Sequence, residues 1–184
     1  MSVRSISTIG GTQASAAQPQ GMTLLASTIV TAATGITFDN IPSGYKHLMF
    51  VWHDMHHSTT GAGNLTINNS TTTTQYQHQW RVVATTVVTA SGRSSASAGF
   101  QGSGNSSAPF PATASGDDAW SHGVMWIYRY TESDWKFVKI DTTGDTGHVW
   151  MFGRWKSTSP VTRFDIVRTG SQTMQGKFYL YGVN

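Results

Sequence analysis

The chain has 184 residues, enough for one domain with a sizeable buried core. Only 11% are charged, against roughly 25% in an ordinary soluble domain, and the net charge of +3 comes from dispersed Lys and Arg. That dispersal argues against a nucleic-acid partner, the lack of cysteine excludes disulfides and thiolate metal sites, and no apolar run approaches the ~18 residues of a membrane span.

Ser and Thr take 47 positions, while Glu132 is the single glutamate. Long exposed helices favour Glu and Lys, whereas strands accept Thr readily, so the composition points to an all-β protein. In chain order, Met1 to Gln20 is small and polar and has little to bury, which predicts an extended N-terminal arm (1–20) ahead of one domain (21–184). The start, Met1-Ser-Val-Arg4, has no apolar signal-peptide core, so synthesis in a cytoplasm is expected. Met22 to Ala32 is apolar and β-branched and is expected to supply the first core strand.

Gly35 to Trp52 reads strand, corner, strand. Ile36 and Phe38 alternate with Thr37. Pro42 cannot donate to a ladder and Gly44 can take positive φ, so the bend falls at 40–44. Leu48 to Trp52 is apolar without alternation, which predicts a strand buried on both faces. A polar loop at 55–63 precedes a strand at 64–67, and Trp80 to Val88 reads as one strand. Ala90 to Gly116 is rich in Ser, Gly and Ala and reads as a long loop. Strand-like runs then begin near Gly123, Trp135, His148, Val161 and Lys177, with turns expected at 141–144, 157–160 and 169–171. Short strands at this spacing indicate an antiparallel β-sandwich or barrel, of which the sandwich is favoured.

Three segments carry a family resemblance. Phe38-x-Asn40-Ile41-Pro42-x-x-Tyr45-x-x-Leu48, then Leu65-Thr-Ile-Asn-Asn69 with Tyr76, then Phe178-Tyr-Leu-Tyr-Gly182-Val183 together resemble tailed-bacteriophage virion proteins of the capsid-decoration and tail-fibre kind. Asn69-Ser70 stands where that family usually has Gly-Asp. The resemblance implies a jelly-roll-like sandwich located on the virion and acting as a decoration (cement) protein. Its partners would be itself, as a homotrimer, and the major capsid protein or other virion proteins. The alternative it implies is a tail-fibre head that binds host surface glycans.

Chemistry-bearing clusters are few. His53-Asp54-Met55-His56-His57 is the candidate metal site: strand spacing sets His53 and His57 on one face, and Asp54 is placed to orient a ring. A polar strand end explains the same residues, and no cofactor is expected. Asp117-Asp118 with Ser121-His122 lacks a nucleophile elbow, Glu132 and Asp134 are too close in sequence to flank a sugar, and Asp141 with Asp145 offers too few oxygens for calcium. An enzyme is therefore not expected. Aromatics are abundant instead, and surplus apolar surface marks an interface, here assigned to Trp126, Tyr128, Tyr130, Trp150, Phe152 and Trp155.

Overall fold

The computed structural model describes residues 4–6, 21–57, 63–84, 87–100, 120–144, 147–168 and 173–184. Twelve strands lie among them: β1 (Arg4–Ile6), β2 (Met22–Ala33), β3 (Gly35–Phe38), β4 (His47–His57), β5 (Gly63–Ile67) and β6 (Tyr76–Ala84), then β7 (Val87–Ser97), β8 (Ser121–Tyr128), β9 (Lys136–Gly144), β10 (Gly147–Trp155), β11 (Phe164–Arg168) and β12 (Met174–Val183). They form an all-β antiparallel sandwich. One sheet has four strands in the order β1-β3-β11-β5, and the other has eight in the order β2-β12-β4-β8-β9-β10-β6-β7. Among the described strands, β1 alone pairs in parallel, with Arg4 opposite Ile36.

The apolar run at 48–52 becomes the middle of β4, deep inside the larger sheet. Its inward side chains Leu48, Phe50 and Trp52 are fully buried. Phe50 meets the smaller sheet through Phe38 and Phe164, with ring centroids 5.4 and 5.2 Å away. This aromatic layer joins the two sheets, and truncating one such ring typically costs about 3–5 kcal/mol. The outward residues Met49 and Val51 keep partial exposure, so β4 is not buried on both faces as its composition suggested.

The corner at 40–44 forms as expected, with Asn40 in the left-handed region at φ 52° and Ile41 N–H donating to Thr162 O at 3.0 Å. Other expectations change. Residues 80–88 are not one strand: β6 ends at Ala84 and β7 begins at Val87, pairing antiparallel with it. That second strand runs into the Ser/Gly/Ala region read as loop. As an edge strand it leaves no apolar alternation to read. Asp141–Gly144 belongs to β9 and is not a turn. Strand β2 is the other edge of the larger sheet and supplies the core on one side only: Val30 and Ala33 are buried and Leu25 and Ala26 pack against the core, whereas Leu24 and Ile29 are 52% and 65% exposed. The expected arm is described only at Arg4–Ile6, where it adds to the edge of this chain's own smaller sheet; the rest of 1–20 lies outside the described residues. Phe100 is fully buried and bridges to Leu65, with Phe100 N–H donating to Leu65 O at 2.9 Å.

Candidate functional site

One face of the eight-stranded sheet packs on the smaller sheet; the other faces outward. Strict alternation decides which side chains it shows. Register carries one row across the sheet: Leu24 beside Tyr181, then Met49, Trp126, Lys139 and Phe152. The next row runs Ser27, Tyr179, Val51, Val124, Asp141 and Trp150. Between β2 and β8 the two rows hold seven apolar or aromatic side chains and one Ser. Trp126 stacks on Tyr128 at 5.9 Å with ring planes 10° apart, and His47 meets Tyr128 edge-on at 5.5 Å. The result is a broad, ordered aromatic surface that no strand among the described residues packs against, its side chains mostly half-buried by one another.

Of the expected interface residues, Trp126, Tyr128, Trp150 and Phe152 lie on this face. Tyr130 and Trp155 do not, and their assignment is corrected. Tyr128 ends β8, Arg129 turns the chain at φ 54°, and Tyr130 enters the core, where its hydroxyl donates to Pro42 O. Trp155 shares the parity of Val149 and Met151, so it points inward, with Nε1–H donating to Gln75 Oε1 at 3.2 Å. Sequence reading passed over Leu24, Met49 and Phe137 on the outer face. The signal that finds them is parity against a neighbouring strand, which requires the register.

Among the described side chains, His53 and His56 are not brought together. Asp54 sits at φ 54° and the ladders on both sides of β4 slip there, so strand alternation breaks between His53 and His56. His53 is exposed beside His122 and Tyr179, with centroids 5.9 and 6.0 Å away. His56 is buried against Trp120 at 5.4 Å, and the side chain of His57 lies outside the described residues. Asp54 pairs with Lys177 at 2.9 Å, and this contact holds the carboxyl below its ordinary range. Among the described residues no three His, Cys, Asp or Glu are grouped to share a metal.

In the other clusters, the described members are accounted for by packing and pairing. Ser121 is buried and its hydroxyl donates to Met55 O at 3.3 Å, while Asp117 and Asp118 lie outside the described residues. Glu132 and Asp134 both pair with Arg129, and that guanidinium lowers the Glu132 pKa, opposite to the shift a glycosidase acid needs. Asp141 bonds His148 at 2.5 Å, and Asp145 lies outside the described residues. No helix among the described residues is long and apolar enough to cross a membrane.

Compared with known proteins, the chain matches no family model and no curated protein.

Proposed function

We propose that the chain is a structural protein of a tailed-bacteriophage virion, a capsid decoration (cement) protein that acts through protein–protein contacts. The observation that carries this reading is the outward-facing, partly exposed Leu24–Tyr181–Met49–Trp126 row with its neighbours Tyr179, Val51, Val124 and Tyr128. A contiguous aromatic face of this kind is costly to leave in water and suits a partner surface. A partner that binds only the assembled shell stabilises it by mass action, with no catalytic group required. A closed homotrimer lets each copy present the face in the same environment.

Two further observations support the reading. The segments that resemble virion proteins interlock: the Tyr45 ring lies on Gly182, where an added Cβ would stand 2.4 Å away, and Lys46 N–H donates to Val183 O at 3.0 Å. The chain also alternates between the two sheets from β2 to β5 and again from β11 to β12, the part of the topology that resembles a jelly roll. Between them, β6 to β10 all stay in the larger sheet. The test is antibody labelling of purified particles by electron microscopy. Regular labelling over the head is expected. Labelling confined to the tail would favour the receptor-binding alternative, and its absence from particles would overturn the proposal.

A further inference from the structure

The outer face changes character beyond β8. On β9, β10 and β6 the register makes a chequerboard, Phe137–Arg154–Gln77 in one row and Lys139–Phe152–Gln79 in the next. A groove of about 380 Å³ opens there, in the size range of small-molecule sites at roughly 300–1,000 Å³. Phe137 and Phe152 are 54% and 49% exposed, so each offers an open ring face. Arg154 is fixed before any ligand arrives: its guanidinium lies over Trp135 at 4.8 Å, and Nε–H donates to Gln77 Oε1 at 2.7 Å. Its terminal N–H groups are thereby held on a small arc, at low entropic cost to a ligand.

We infer that this groove binds an acidic saccharide. Sugar rings present patches of C–H that lie on aromatic faces, while their rims carry hydroxyls that match the amides of Gln77 and Gln79. Charge sets the acidic preference. Among the described residues of β6, β9 and β10, the outward cations are Arg81, Lys139 and Arg154, and the one outward acid, Asp141, is bonded to His148. A peptide strand is disfavoured because β6, β9 and β10 are all hydrogen-bonded on both sides, leaving no ladder edge to extend. The inference does not depend on where the protein sits on a particle, and its failure would leave the labelling result unaffected.

The test is binding of the intact chain to immobilised oligogalacturonate, oligosialic acid and a glycerol-phosphate glycan, with dextran oligosaccharide as neutral control. At least one acidic glycan is expected to bind and dextran not, with affinity reduced about tenfold or more in Phe152→Ala and in Arg154→Ala and weakened by salt. Both positions are on the surface, so melting temperature should be unchanged. The inference is overturned if no acidic glycan binds at millimolar concentration, if dextran binds equally, or if both variants bind as the parent does. A change of solution mass in Phe152→Ala would assign the groove to contact with a second copy instead.

Discussion

Tyr76→Phe removes one oxygen that bonds to both Ile67 and Ser70. The Tyr76 side chain is fully buried, its ring meets Phe100 edge-on at 5.2 Å, and its hydroxyl closes the turn after β5. Ile67 N–H donates to that oxygen at 2.9 Å, and the hydroxyl donates to Ser70 O at 2.8 Å. Phenylalanine keeps the ring packing but leaves the Ile67 amide without an acceptor, a loss of about 1–3 kcal/mol. The same site sets an alkaline limit. Burial pushes the Tyr76 phenol from 10.0 up to about 12, and Tyr130 likewise from 10.0 to about 12. A phenol whose folded pKa exceeds its unfolded value contributes stability in full below pH 10, and loses it as pH rises through 10 towards 12. At pH 11 each tyrosine has lost about 1.4 kcal/mol, so the parent protein falls by about 3 kcal/mol between pH 9 and 11 and the variant by about half of that. Urea unfolding of both proteins at pH 8, 9 and 11 measures these differences. Equal stability at pH 8, or an unaltered alkaline decline in the variant, would refute the reasoning.

Two further perturbations test other parts of the fold. Gly123→Ala would set a Cβ 2.2 Å from the buried Trp52 ring, and overpacking of this kind costs about 1–3 kcal/mol, so the melting temperature should fall by several degrees; an unchanged melt would mean that Trp52 does not lie over this glycine. Arg163→Ala strips the buried Asp165 carboxylate of its guanidinium, whose Nη2 lies 2.6 Å away, leaving the hydrogen bond from Thr37 Oγ1–H at 2.6 Å; a loss of about 1–3 kcal/mol in urea unfolding is expected, and none would show that the carboxylate is satisfied without arginine.

Much of the fold was readable from local pattern. The strands at β3, β5, β8 and β12 follow from short alternation bounded by turn residues, and the corner at 40–44 from Pro42 and Gly44. Strand β7 was not readable, because Ser, Gly and Ala at a sheet edge give no apolar period and pairing with β6 is a tertiary fact. The metal reading rested on strand alternation setting His53 and His57 on one face, and the left-handed Asp54 interrupts that alternation. Trp126, Tyr128, Trp150 and Phe152 could be picked out by their alternation, whereas Tyr130 and Trp155 could not be separated from them without knowing where β8 ends and which face of β10 points inward. The Phe137–Arg154–Gln77 row joins three strands and is invisible in any one of them.

The account turns on whether the aromatic outer face is used for assembly. Multi-angle light scattering of the parent chain and of Trp126→Asp/Tyr128→Asp at micromolar concentration addresses this directly, because both side chains are only partly buried and their loss leaves the core intact. The account predicts a parent mass about three times the 19.9 kDa chain, and a folded monomer for the double variant. A monomeric parent, or a double variant that retains the parent's mass, would contradict it.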